Sequence, residues 1–177
     1  MYYSGDNLYC AGLFNKTEIP SISNLARYNT ATKTWYDLAG GVPTNSGVIY
    51  SIAVIDQSLY IGGKFMITKT YQNLTYLFQN LMVWDIENRV YHSISNDTHW
   101  IPLNFIYNTV FKLFSNGTKL LIGGNFCFST ATYMYYHIAA YETTTKQWVI
   151  NCFIYLFLFF ILFIFCFFFF LFKDRNR

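Results

Sequence analysis

Four N-x-[S/T] sequons stand out among the residues that could carry chemistry: Asn15 (NKT), Asn73 (NLT), Asn96 (NDT) and Asn116 (NGT). Each falls in a predicted loop or turn, where glycosylation needs it. A chain rich in Asn and Thr produces such triplets by chance, so they gain weight only with a secretory topology. His92, His99 and His137 are scattered. Asp97 lies near His99, but no Cys, Asp or Glu stands at ligand spacing, so no metal site is expected. No Ser/His/Asp order or carboxylate pair occurs. The string LYIGGKF (59–65) is a strand ending in Gly-Gly; it is not GxGxxG and no helix is predicted after it. The expectation is a non-enzyme without cofactor.

What positions these residues is a repeat. LYIGGKF returns as LYCAGLF (8–14) and LLIGGNF (120–126), which sets Gly12, Gly62, Gly63, Gly123 and Gly124 at equivalent places. Downstream come NLARYNTATKTW, NLMVWDIENRVY and HIAAYETTTKQW. Each holds two aromatics seven apart: Tyr28 and Trp35, Trp84 and Tyr91, Tyr141 and Trp148. The pair advances by 56 and then 57 residues, a period that points to a propeller blade rather than a helical repeat.

The second copy reads as four strands near 48–55, 59–65, 81–86 and 90–95, with a loop over 66–79 that contains an exposed Lys69-Thr70. The turns are short and polar, Asn116-Gly117 being the strongest hairpin signal. Runs such as LMVW and HIAAY barely alternate, as expected of strands covered on both faces. The glycines then permit close approach of a neighbouring backbone, and the aromatic pairs fill the space between sheets. Cys10 and Cys127 fall in or beside corresponding strands of different repeats, so no disulfide is expected between them.

Apolar strand, Gly-Gly, then an aromatic with a second aromatic seven residues on resembles the kelch repeat of β-propellers. The closest variant is that of large amoebal and fungal cell-surface kelch-like proteins with a C-terminal span. The resemblance covers about residues 6–150. Ala11 replaces the first glycine, and Trp84 and Tyr91 reverse the usual aromatic order. It implies an all-β, partial kelch-like propeller of repeats at about 1–39, 47–96 and 109–151. Two blades would be full and the first incomplete, lacking its first strand. Galactose oxidase is a kelch-type propeller too. A copper oxidase of that kind requires Tyr and His ligands and a Cys joined to a Tyr, and no such set can be assigned.

Residues 152–172, CFIYLFLFFILFIFCFFFFLF, carry no charge and no helix breaker, and include Cys152 and Cys166. As a helix the run spans about 32 Å, against ~30 Å of bilayer core. Its Phe, Leu and Ile favour insertion by roughly 5–11 kcal/mol together. A single transmembrane helix over 152–172 and a basic cytoplasmic tail over 173–177 (Lys173, Arg175, Arg177) are therefore expected, with residues 1–151 outside or in the lumen. These carry nine basic and eight acidic residues, which argues against nucleic acid as a partner. The first residues do not read as a signal peptide. The expectation is a piece of a longer protein whose preceding part holds the signal and further blades; the alternative is closure by another copy through open blade edges. Phe, Leu, Ile, Tyr and Cys are all encoded by T-rich codons, so translated non-coding sequence is the other reading of the tail.

The functional expectation is a membrane-anchored cell-surface or secretory-pathway scaffold that binds protein or carbohydrate, with the loop 66–79 as the segment to test. A cytosolic tail-anchored adaptor and a truncated gene product without independent function are the alternatives.

Overall fold

The computed structural model describes residues 1–15, 19, 22–71, 73–94, 108–129 and 134–149. They form three four-stranded antiparallel sheets, each in simple meander order. The first sheet contains β1 (Tyr2–Ser4), β2 (Asn7–Asn15), β3 (Ser23–Asn29) and β4 (Thr34–Asp37). The second contains β5 (Gly47–Ile55), β6 (Ser58–Tyr71), β7 (Leu74–Asp85) and β8 (Val90–His92). The third contains β9 (Thr109–Asn116), β10 (Lys119–Ser129), β11 (Met134–Glu142) and β12 (Gln147–Val149).

Two expectations are corrected. The first unit is not an incomplete blade, because Tyr2, Tyr3 and Ser4 pair with Tyr9, Leu8 and Asn7 and supply the strand thought missing. The all-β description needs no helix either. The described residues contain only a 3-10 turn at Thr44–Ser46, and none of their helices is long and apolar enough to cross a membrane. The helix expected at 152–172 lies outside the described residues.

The three sheets repeat one another bond by bond. At the turn between the third and fourth strands, the amides of Thr30, Ile86 and Thr143 donate to the carbonyls of Asp6, Gln57 and Thr118. Each of these turns ends in a basic residue at positive φ: Lys33, Arg89 and Lys146. The residue opening the turn accepts hydrogen bonds through its side chain. Asn29 accepts from the Thr32 amide and Asp85 from those of Glu87 and Asn88. The Asn88 side chain and amide are also the main reason the Asp85 carboxyl titrates below its ordinary range. Seven-residue spacing thus closes a hairpin and sets the two aromatics opposite each other. Tyr28 faces Trp35, Trp84 faces Tyr91 and Tyr141 faces Trp148, with ring centroids 5.0, 4.7 and 5.1 Å apart.

The cores lie between sheets. Tyr9, Leu25 and Leu38 of the first unit pack with Leu59, Ile61, Met82, Trp84 and Tyr91 of the second. Tyr60, Leu81 and Val83 on the second sheet's other face pack with Val110, Leu113, Leu120, Ile122 and Tyr141 of the third. The aromatic pairs of the second and third sheets therefore face the preceding sheet. Ser51, at the β5 bulge, pins the second sheet to the third by accepting from the Leu113 amide at 3.0 Å.

Candidate functional site

The paired glycines do two different jobs. A methyl group on Gly62 would lie 2.5 Å from Val110 Cγ1 and 3.2 Å from Leu113 Cγ, both on the adjacent sheet. Gly62 is thus a notch for the next sheet. Gly63 and Gly124 face their own first strands, where a Cβ would meet the carbonyl oxygens of Val48 and Thr109 at 2.2 and 2.1 Å. They permit the bulges that break register in β5–β6 and β9–β10. Among the described residues, Gly123, the counterpart of Gly62, has only Lys112 O at 4.0 Å near its missing Cβ. Ala11 holds that position in the first sheet and packs against the first core. Gly12 is the only one of the five at positive φ (150°).

No described sheet covers either end of this stack. Tyr28, whose counterparts Trp84 and Tyr141 are buried, is only half-buried on the first sheet's outer face; Trp35 is half-buried there too, as Trp148 is in the third sheet, whereas Tyr91 is buried. Cys10 shares that face as a free, half-buried thiol, and burial raises its pKa. On the third sheet's outer face Leu121 and Ile138 are 37% and 38% exposed, whereas the equivalent Tyr60 and Leu81 are at 5% and 3%.

The segment expected to be a loop at 66–79 is an extension of the second sheet. From Met66↔Gln79 to Tyr71↔Leu74, β6 and β7 pair without interruption. Ile67 and Phe78 are buried on the side of the first core, while Met66, Tyr76 and Leu77 are exposed. Lys69 is not a solvated loop residue. Half-buried, its Nζ donates to the carbonyls of Ala39 (2.7 Å) and Gly41 (3.0 Å) and lies 5.3 Å from the Tyr91 ring centroid. Tyr91 Oη donates to the Leu38 carbonyl at 2.6 Å. The connector 38–41, with Ala39, Gly40 and Gly41 all at positive φ, is thereby tied to the second sheet.

That connector borders a cleft of about 250 Å³ between the first and second sheets. Its lining includes Tyr9, Arg27, Tyr36, Asp37, Trp84 and Arg89. Arg27 stacks on Tyr36, with its guanidinium carbon 4.2 Å from the ring centroid. Its Nε is buried without a hydrogen-bond partner among the described residues.

Of the sequons, Asn73 lies at the β6–β7 tip, exposed and at φ 65°, and Asn15 ends β2 opposite Ser23. Asn116 is exposed at the end of β9, which is the opposite end of the equivalent meander. Asn96 and His99 lie outside the described residues. His92 and His137 are exposed and far apart in sequence, on the second and third sheets. Among the described residues no three His, Cys, Asp or Glu come together as a metal site.

Sequence reasoning missed a residue within the third strand of each sheet, next to the point where its register with the second strand shifts. Asn24 and Asn80 both take φ 59°, and their Oδ1 atoms accept from the amides of Phe14 (3.1 Å) and Phe65 (3.0 Å). Asparagine tolerates this left-handed conformation and satisfies an amide freed where the strands change register. His137 holds the same place at φ 60°. The signal was present as the N of NLARY and NLMVW.

The buried tyrosines make the fold sensitive to alkali. Burial raises the hydroxyl pKa of Tyr9, Tyr71, Tyr91 and Tyr141 and pushes Tyr60 up to about 12; at Tyr9, Arg27 partly offsets it. Each contributes stability that is fully present below its unfolded pKa of about 10 and is lost as pH climbs through the folded value. Lys69 runs the other way, since burial lowers its pKa, but it is one group against five. The unfolding midpoint should therefore hold steady to about pH 9 and fall between about 10 and 12. A midpoint flat through that window, followed by circular dichroism, would contradict the tyrosine burial.

Comparison with protein-family models gives no match, and comparison with curated proteins gives none.

Proposed function

We propose that the chain contributes consecutive blades of a kelch-like β-propeller that acts as a binding scaffold at the cell surface or in the secretory pathway. In this reading the apolar run 152–172 anchors it in a membrane, residues 1–151 face the lumen or the outside, and Asn15, Asn73, Asn96 and Asn116 carry glycans. The ligand is protein or carbohydrate. The uncovered outer faces, Tyr28 and Trp35 at one end and Gly123, Leu121 and Ile138 at the other, suit further sheets of the same kind, including those of a second copy.

The observation that supports this reading best is the reuse of one interface design. The aromatic pair of each following sheet packs on the preceding one, and Gly62 receives the next sheet's Val110 and Leu113. A stack of equivalent meanders is the way a propeller covers both faces of its sheets. Asn73 and Asn116 are both exposed at strand ends, where an enzyme could reach them.

Expression of the full chain with microsomes tests the topology. The expected result is a body shielded from added protease and a mobility shift on glycosidase treatment. A protease-accessible body without a shift would favour the cytosolic adaptor instead.

A further inference from the structure

The cleft between the first and second sheets departs from the repeat in one respect that packing does not require. Arg27 pairs with Tyr9 across the sheet, as Val83 pairs with Tyr60 and Ala140 with Leu121 in the next two sheets. Val83 is buried in the second core and Ala140 is also buried. The first sheet thus places a permanent cation where its siblings place an aliphatic side chain. Arg27 is half-buried with its Nε out of contact with water, and a charge withdrawn from water needs partners to offset its lost hydration. Arg27 has the face of Tyr36 and lies close enough to Tyr9 to act on its hydroxyl, yet its Nε has no hydrogen-bond partner among the described residues.

The surroundings define what would fit. Arg89 lines the same cleft from the β7–β8 turn, and among the described residues Asp37 is the only acidic group in the lining. Two cations against one carboxylate leave a net positive field, which attracts a monoanion and disfavours an ammonium group. Arginine matches a carboxylate through paired, charge-assisted hydrogen bonds. Asp37 lies beside it as an acceptor for hydroxyl groups, and Trp84 and Leu38 supply apolar walls. The space suits one ring-sized molecule.

We propose that this cleft binds a small hydroxylated carboxylate, with the uronic-acid unit of a saccharide as the fitting form. The inference rests on the binding-scaffold reading above but not on membrane placement. A shielded, glycosylated chain that ignores acidic sugars would overturn the ligand assignment alone.

The test is calorimetric titration of the full chain in detergent with galacturonate, with neutral galactose and with glutamate. Galacturonate should bind, weaken as salt is raised, and bind better than the other two. Arg27→Val installs the next sheet's own residue, so the variant should fold and melt no lower than the parent while binding weakens by about 10- to 100-fold. Arg89→Gln, in an exposed turn, should leave the melting midpoint unchanged and weaken binding by a smaller factor; it decides the matter if Arg27→Val fails to fold. Absence of galacturonate binding would overturn the proposal. So would galactose or glutamate binding as tightly, or binding that survives both substitutions unchanged.

Discussion

Replacing Trp84 by alanine should remove about 3–5 kcal/mol of folding stability, the largest loss expected of any single side chain here. Trp84 is 4% exposed in the core between the first two sheets. It also lies 4.7 Å from the Tyr91 ring, an aromatic pairing worth about 0.5–1.5 kcal/mol beyond area burial. A domain of ordinary stability has about 5–15 kcal/mol in total, so the variant should melt far lower or populate unfolded chain at room temperature. Trp35 occupies a comparable place in its own hairpin but on the first sheet's outer face, where it is half-buried. Trp35→Ala should cost about 1–2 kcal/mol, because only part of the ring leaves water on folding. Equal losses for the two variants, in thermal unfolding under one condition, would mean that the outer face is as well covered as the inner interface.

The second large effect comes from adding atoms. Gly62→Ala inserts a methyl group 2.5 Å from Val110 Cγ1, and both Val110 and Leu113 are buried and held from behind by their own sheet. Overpacking of this kind costs about 1–3 kcal/mol, since the sheets must separate or the side chains leave their rotamers. Glycine's own weakness in a strand offsets about 0.5–1 kcal/mol of that. The net result should still be destabilising, and Gly62→Val should be worse than Gly62→Ala. Hydrogen exchange should localise the loss: amides of β5 and β9, which Ser51 joins, should open first.

The parts of this fold that were legible in the sequence are those written in several copies. The turn between the third and fourth strands has the same length three times, so the pairs seven apart identified the hairpins and, through them, the sheet order. The glycines were read correctly as packing devices, but their division of labour was not. Gly62 and Gly63 point to opposite faces of one strand, and only the partner on each face distinguishes a notch from a bulge. β1 was missed because three residues carry almost no periodic signal; it exists by pairing with β2. The hairpin over 66–79 was missed for a different reason. Its Thr, Tyr and Ile favour a strand, yet a lysine and a sequon drew the reading toward a loop. Lys69 does not face water, because the carbonyls of Ala39 and Gly41, some 30 residues away, are its partners. Arg27 was hidden in NLARYN, where a single arginine reads as an ordinary outward residue. Only its register with Tyr9 marks it as occupying a core position.

The most direct measurement is a paired one, made at a concentration where the chain is monomeric. Gly62→Ala and Gly123→Ala make the same substitution at the same place in consecutive sheets, one beneath a neighbouring sheet and one whose Cβ would meet, among the described residues, nothing nearer than Lys112 O at 4.0 Å. If the glycine strings exist to let sheets stack, Gly62→Ala should lower the unfolding midpoint, whereas Gly123→Ala should leave it unchanged or raise stability by about 0.5–1 kcal/mol. A loss of equal size at both positions would contradict the stacking account.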